Sequence, residues 1–264
     1  MKYFKKQKNS RNKKSISHPT FINRKSFTIL LKITVALLVV WFLVKFSIIT
    51  YKIIQLRTEN PKMVSIIQYW VQKHQEKHEP YSYSFKVVPI EKISVNLKTA
   101  IIATEDPNFF SHHGFDLGQI KESFFVNIKQ MKIARGASTI TMQTARTLFL
   151  HPKKTFTRKA QEAIITVIME LVLSKKRIFE LYLNYAELGD GLFGVESATR
   201  FYYHKNSSDL SISQSICLAA SISAPGISNC AHPDLRLQRR VKIVYNKMKL
   251  LSLQTKKAIL ATQK

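Results

Sequence analysis

The chain has 264 residues, and its 42 Lys and Arg against 16 Asp and Glu give a formal net charge of +26. This length allows one large domain or a domain with an appendage, and the charge predicts an anionic partner: nucleic acid, phospholipid or a phosphorylated substrate. The chain has two cysteines and no metal-ligand spacing, which argues against a cysteine-based metal site.

The first element is a basic, polar tail, residues 1–26, which we expect to be disordered. The first 57 residues contain Lys and Arg but no Asp or Glu, and the rest of the chain is still net positive. A basic tail by itself is also typical of a nucleic-acid arm. The excess charge beyond the tail predicts an anion-binding surface on the folded part.

Residues 27–54 are predicted to form one transmembrane helix, because their centre, residues 33–44, is uncharged and apolar. Lys32 and Lys45 interrupt the run, but lysines near helix ends can reach the headgroups. A signal peptide is less consistent, since no cleavage site follows, and a buried soluble helix is a second alternative. The positive-inside rule places the tail in the cytoplasm and the rest of the chain outside.

Residues 55–89 are interpreted as a connector with a short amphipathic segment and one strand-like alternation, Ser82–Val88. Residues 90–264 are predicted to form the functional domain. Almost no strand signal follows Lys86, so we expect a mainly α fold.

The stretch from Ala100 to Asp116 combines an acidic pair, Glu105 and Asp106, with aromatic and histidine residues. The preceding residues have the apolar spacing of a buried helix, and Pro107 discourages its continuation. Glu105 is therefore predicted at the end of a buried helix, where the helix dipole disfavours its charge. A carboxylate of raised pKa in this position suits acid–base chemistry, although an ordinary surface glutamate fits this stretch as well.

Residues 117–133 are predicted to form a helix with aromatic residues on one side and lysines on the other. This pattern fits a membrane interface and a core-facing helix about equally well. Residues 135–147 follow with small and hydroxyl-bearing side chains, then a series of cations: Arg146, Lys153, Lys154, Arg158 and Lys159. These are the components of a phosphate site, and no Walker-type loop indicates a nucleotide.

Residues 157–184 are predicted to be helical, with Thr157 as the N-cap and a second helix starting at Ser174. The apolar positions predicted to face inward are Ile164, Ile168, Leu171 and Val172 in the first helix, and Ile178, Leu181 and Tyr182 in the second. Glu162 lies one turn after Arg158. The pair is either a surface ion pair or a second acidic group in a basic cleft. Cys217 is most simply a small core residue, and a disulfide to Cys230 is left open.

Four blocks of the chain resemble the peptidoglycan glycosyltransferase family, glycosyltransferase family 51, from about Ile93 to Pro233. The blocks are ATEDPNFFSHHGFD (103–116), GASTITMQTAR (136–146), RKAQE (158–162) and ELYLNYAELGDGLFGVESATRFYY (180–203). The ordered set is highly specific. Since no transpeptidase domain follows, the chain resembles the monofunctional biosynthetic transglycosylases most, which correspond to the transglycosylase domain of class A penicillin-binding proteins.

The resemblance implies a lysozyme-like helical domain that polymerises lipid II at the outer side of the bacterial cytoplasmic membrane. Glu105 matches the catalytic base, which takes the proton from the acceptor 4-hydroxyl as undecaprenyl pyrophosphate leaves with inversion. Glu162 matches the second catalytic glutamate, placed near the leaving group or a divalent cation. The expected substrate-binding residues are Asp106, Phe109, His112, Ser138, Thr139, Gln143, Arg146, Lys154 and Arg158.

The resemblance implies no obligatory cofactor and leaves a cation such as Mg²⁺ open. The expected partners are lipid II, the lipid-linked glycan, the membrane and other cell-wall synthesis proteins, but not nucleic acid. The chain departs from the family with Met142 for the usual Gln, Arg146 for Lys and Lys154 for Arg. The two basic exchanges keep the charge and change the donor geometry.

Two alternative functions remain consistent with the sequence. One is a lysozyme-like enzyme that cleaves glycan, which also requires a carboxylic acid in a cleft. The other is a non-catalytic membrane scaffold of cell-wall synthesis whose site has decayed. The cation series from Arg146 to Lys159 argues against the first, and the retention of Glu105 and Glu162 argues against the second.

Overall fold

The computed structural model describes residues 24–129, 136–223 and 229–263, with the backbone alone at 24–26 and 127. Most of the predicted tail, residues 130–133 of the predicted amphipathic helix and Arg135 lie outside these ranges. Within them the fold is mainly α, as predicted. The helices are α1 (Arg24–Gln55), α2 (Ser65–Glu76), α3 (Val95–Glu105), α4 (Leu117–Lys129), α5 (Ile140–Phe149), α6 (Phe156–Val172), α7 (Lys175–Tyr185), α8 (Val195–Tyr203), α9 (Ile212–Ser221), α10 (Leu235–Leu250) and α11 (Leu253–Ala261). The strands are β1 (Ser84–Phe85), β2 (Glu187–Gly189) and β3 (Leu192–Phe193), and the 3₁₀ turns are Ile90–Lys92 and Ser207–Asp209.

Helix α1 contains the predicted membrane segment. Its residues Phe27–Gln55 form a stretch of 29 residues in which an 18-residue window has a mean hydropathy of 2.6, long and apolar enough to cross a membrane. Large apolar side chains, such as Leu37 and Trp41, are exposed along it. Among the described residues, those up to Ile48 form one compact unit, and those from Ile49 onward form the second.

The core of the second unit is organised around α3 and α5. Helix α3 packs against α9, α10 and α11, and α5 packs against α2, α6 and α7. Leu97 and Ile101 on α3, and Ile140 and Ala145 on α5, are completely buried. The α3 backbone is therefore held from several sides up to its last residue, which fixes the position of Glu105.

The predicted connector contributes ordered structure to this unit. Ile66 and Ile67 on α2 are buried, and α2 packs against α5. Strand β1 lies within the predicted strand-like alternation and pairs in parallel with β3, with Ser84 opposite Leu192. Strand β2 pairs with the other edge of β3 in antiparallel orientation, which gives the order β1-β3-β2.

Helix α6 differs from the sequence prediction at its start and on its inner face. Thr155, and not Thr157, is the N-cap, because its side chain accepts a hydrogen bond from the Arg158 amide. Ile164 is 43% exposed and Leu171 81% exposed, although both were predicted to face inward. The predicted start of a second helix at Ser174 is confirmed, because Ser174 is the N-cap of α7.

Cys217 on α9 and Cys230 form a disulfide, with their Cα atoms 5.9 Å apart. The bond links α9 to the segment that precedes α10. The sequence left open whether this disulfide forms, and it favoured Cys217 as a small core residue. Cys217 is nevertheless buried as well.

Candidate active site

Glu105 is the last residue of α3, where the sequence predicted it. The chain leaves the helix at Asp106, which has φ −160° and ψ 78° and directly precedes Pro107. This conformation lies outside the α-helical region, which is disfavoured for the residue before a proline. The side chain of Glu105 is thus delivered from a rigid, buried helix to the beginning of an irregular segment.

The carboxyl of Glu105 is held by Gln143 of α5, whose Nε2 donates a hydrogen bond to Oε2 at 2.9 Å. Burial raises the pKa of Glu105 above its ordinary value, and the charge of Asp106 adds to this effect. The Gln143 hydrogen bond and the charges of Lys247 and Arg146 act in the opposite direction. The predicted raised pKa is confirmed, and its largest cause is desolvation.

Asp106 and His112 form an internal anchor beside Glu105. Asp106 is completely buried, and its Oδ2 accepts a hydrogen bond of 3.0 Å from the Ile140 amide at the start of α5. His112 Nε2 lies 3.0 Å from both carboxylate oxygens of Asp106. The carboxylate therefore joins the end of α3 to the N-terminus of α5, a position that the helix dipole favours for a negative charge.

Phe109 and Thr139 were both expected to bind substrate, and the structure gives both a packing role. Phe109 is completely buried and packs against Phe179, with ring centroids 5.8 Å apart. Thr139 is the N-cap of α5, and its hydroxyl donates to the Gly114 carbonyl at 2.7 Å. Neither residue lines the cavity beside Gln143, and the Thr139 hydroxyl is already paired with the Gly114 carbonyl, so the structure leaves neither residue a free group for a substrate.

A cavity of about 300 Å³ lies beside Gln143 and collects most of the predicted cations. Gln143 both lines this cavity and bonds Glu105, so the carboxyl and the cations share one side of the molecule. The lining residues are Ile66, Gln143, Arg146, Thr147, Pro152, Lys154, Arg158, Tyr182, Ala186, Glu187 and Ile222. Three guanidinium or ammonium groups around one small volume are the components of an anion-binding site.

Glu162 forms a buried ion pair and not a surface one. It is completely buried, one carboxylate oxygen accepts from Arg158 Nη1, and the other lies 2.6 Å from Lys159 Nζ. Lys159 also donates to Ser138 Oγ at 3.1 Å. Glu162 is not among the cavity-lining residues. It orients Arg158, which does line the cavity, and it holds Ser138 through its contact with Lys159.

The residues present do not fit a divalent cation at Glu162. Both of its oxygens already contact side-chain cations, so a metal would have to displace Arg158 or Lys159. Among the described residues, no group of three His, Cys, Asp or Glu side chains could hold a metal ion. Hard cations such as Mg²⁺ require several oxygen ligands, which this position does not offer.

The residues that depart from the family pattern lie in different surroundings. Arg146 and Lys154 line the cavity, so the two basic exchanges alter its donors directly. Met142 is buried with 5% exposure and is not among the lining residues. Its thioether therefore replaces hydrogen-bonding groups at a position that does not face the cavity.

Three residues of the site were not singled out from the sequence. Tyr182 and Glu187 line the cavity, and Lys247 of α10 donates to the Thr104 carbonyl at 3.1 Å, one residue before Glu105. Burial raises the pKa of Glu187. Tyr182 was predicted to be an inward-facing core residue. The only signal in the sequence for a role in the site was the polar hydroxyl at the end of this side chain.

Comparison with known proteins gives a consistent result. Residues 72–249 match the family model described as Transglycosylase. A protein named biosynthetic peptidoglycan transglycosylase from Chromobacterium violaceum is 40% identical over 225 residues, which cover 85% of this chain and 98% of that relative. Relatives of the same name from Nitrosomonas eutropha and Laribacter hongkongensis are 39% and 38% identical, over 83% and 76% of this chain and 88% of each relative.

Proposed function

The chain belongs to the transglycosylase family, and from this premise we propose that it polymerises lipid II into peptidoglycan glycan strands. The reaction is an inverting transfer that releases undecaprenyl pyrophosphate. It requires one proton acceptor for the attacking hydroxyl and a positive environment for the departing diphosphate. The two requirements can be assigned to separate parts of the site.

Glu105 is assigned the role of general base. Its carboxylate takes the proton from the 4-hydroxyl of the acceptor N-acetylglucosamine as that oxygen attacks the anomeric carbon of the donor. A pKa raised by burial brings the carboxyl nearer to the operating pH, which makes it a better base than an ordinary glutamate. The hydrogen bond from Gln143 fixes the orientation of the carboxylate before the substrate binds.

Arg146, Lys154 and Arg158 are assigned to the diphosphate, because all three line the cavity next to Gln143. Fixed cations stabilise the charge that develops on the leaving oxygen and do not have to reorganise during the step. Glu162 is assigned an indirect role as a positioning residue: it is buried and holds Arg158 and Lys159. No step of this mechanism passes through a metal.

The observation that carries the proposal is the position of Gln143 between the two halves of the site. Its Nε2 bonds the base, and the same side chain lines the cavity together with Arg146, one helical turn further along α5. This hydrogen bond supports an arrangement in which the base lies next to the cavity that the cations line. A glycan-cleaving enzyme needs the acid but has no use for three cations beside it.

We propose the outer surface of the bacterial cytoplasmic membrane as the site of action. Helix α1 is long and apolar enough for a single span, and the basic residues that precede it favour a cytoplasmic N-terminus. The Cys217–Cys230 disulfide supports an oxidising compartment for the domain that follows. Exposed Phe124 and Phe125 on α4 fit contact with the bilayer in which the substrate is anchored.

The proposal is tested with the purified full chain in detergent, incubated either with lipid II or with preformed glycan strands. We expect lipid II to be converted into glycan polymer and the preformed strands to remain intact. Shortening of the strands without polymerisation would indicate the cleaving enzyme. Turnover of neither substrate, by a protein that binds cell-wall synthesis partners, would indicate the scaffold.

A further inference from the structure

Tyr182 carries a hydroxyl that the fold does not use. The residue lies on α7 and is 3% exposed. Its hydroxyl oxygen is buried and has no hydrogen-bond partner in the part of the chain that the structure describes. Leaving a buried hydroxyl unpaired destabilises the folded state, and a phenylalanine of the same shape would avoid that cost.

The surroundings of Tyr182 place it between the two halves of the active site. It lines the cavity together with Gln143 and Arg146. The charges that act on its hydroxyl are those of Glu105, Arg146 and Asp106, with Glu105 the strongest. Burial raises the pKa of Tyr182 well above its ordinary value of 10.0, so the phenol keeps its proton and can only donate or accept a hydrogen bond.

We propose that Tyr182 is a further substrate-contacting residue, whose hydroxyl donates a hydrogen bond to the oxygen that links the donor sugar to the diphosphate. This inference rests on the proposed function. The linking oxygen has to lie between the base and the cations, because the attacked carbon is beside Glu105 and the diphosphate is beside Arg146. No proton is transferred: the phenol keeps its proton while the carbon–oxygen bond breaks and the diphosphate leaves as an anion.

The role follows from the distribution of charge during the reaction. Negative charge grows on the linking oxygen as the bond breaks, so the hydrogen bond becomes stronger in the transition state than in the bound substrate. A neutral donor at this point also adds no positive charge next to Glu105, which has to remain a base. The cations are assigned to the outer phosphate oxygens, and Tyr182 offers a neutral donor for the bond that breaks.

The test compares Tyr182→Phe with Tyr185→Phe, both on α7. The Tyr185 hydroxyl donates to the Pro61 carbonyl at 2.7 Å, and Tyr185 is not among the cavity-lining residues. The parent chain and both variants are assayed for lipid II polymerisation, with kcat and KM determined separately, and for thermal unfolding. Each variant removes one hydroxyl and leaves an aromatic ring of the same shape.

We expect Tyr182→Phe to lower kcat about tenfold to a hundredfold, the range for a hydrogen bond to a charged acceptor, with the melting temperature equal to or above that of the parent. Tyr185→Phe should lower the melting temperature and keep the parent kcat. A Tyr182→Phe variant with the parent kcat, or one whose activity falls only as far as its stability, overturns the inference while the proposed function stands. A parent chain that forms no polymer overturns both.

Discussion

At the scale of single residues, Glu105 is subject to two opposing influences. Burial at the end of α3 disfavours its charged form, whereas the Gln143 hydrogen bond and the charges of Lys247 and Arg146 favour that form. The base is therefore neither an exposed carboxylate, which would be too weak, nor a fully isolated one, which would remain protonated. The carboxylate of the neighbouring Asp106 is instead engaged by the Ile140 amide and His112.

Replacement of Gln143 is expected to shift the pH dependence of the reaction. Gln143→Leu removes a hydrogen bond to the ionised carboxyl, so the pKa of Glu105 rises further and more of the base is protonated at a given pH. The acid limb of the kcat profile should move to higher pH, with a lower rate at neutral pH. The measurement is lipid II polymerisation between pH 5 and about 9.

The matched control is Gln72→Leu, on the exposed face of α2, where Gln72 Nε2 donates a local hydrogen bond of 2.9 Å to Glu76 Oε1. It should reproduce the parent profile. An unchanged acid limb in Gln143→Leu would show that this hydrogen bond does not set the protonation of the base.

At the scale of elements, α6 shows why part of the site could not be predicted. In an amphipathic helix, the charged residues are expected to lie on the face exposed to solvent. The buried face of α6 instead carries the Arg158–Glu162 pair together with Ile165 and Met169, and it leaves Leu171 exposed. The apolar pattern was correct about the helix and about Ile168, but it was wrong about Ile164 and Leu171, because the pairing of two opposite charges makes the burial of Arg158 and Glu162 tolerable.

Lys98 gives a second example of a buried charge, one that joins α3 to α11. It is completely buried, and its Nζ donates to the Thr262 hydroxyl at 2.9 Å and the Ile90 carbonyl at 3.1 Å. Burial lowers the pKa of Lys98 from 10.5 to about 8, with the charge of Glu91 opposing and that of Lys176 adding to the effect. The unfolded chain therefore binds more protons than the folded one above pH 8.

The expected consequence is that the free energy of unfolding rises with pH between about 8 and 9.5, since the unfolded state binds the additional proton there. Lys98→Met should abolish this rise, because it removes the titrating group. Denaturant unfolding of both proteins at pH 7.5 and about 9.5 measures the difference. Exposed Lys92→Met is the control and should keep the parent slope; the same slope in Lys98→Met would contradict the assignment.

At the scale of the whole molecule, the sequence predicted the apolar helix, the mainly α fold and the family, because each depends on composition or on ordered local blocks. It also placed Glu105 at the end of a buried helix through a local rule about proline. It did not show the contacts between distant segments: Asp106 with the start of α5, Lys247 with the end of α3, or the unpaired hydroxyl of Tyr182. These depend on how helices pack, which no local pattern specifies.

The central claim is that Glu105 is the base that activates the acceptor for transfer. Glu105→Gln keeps the shape of the side chain and an oxygen that can accept from Gln143, but it removes the proton acceptor. In purified full-length protein supplied with lipid II, we expect the polymerisation rate to fall by about a hundredfold or more. The control is Glu79→Gln, because Glu79 is exposed and its Oε2 lies 3.9 Å from Lys77 Nζ; this variant should keep the parent rate. Polymerisation by Glu105→Gln at close to the parent rate would contradict the claim.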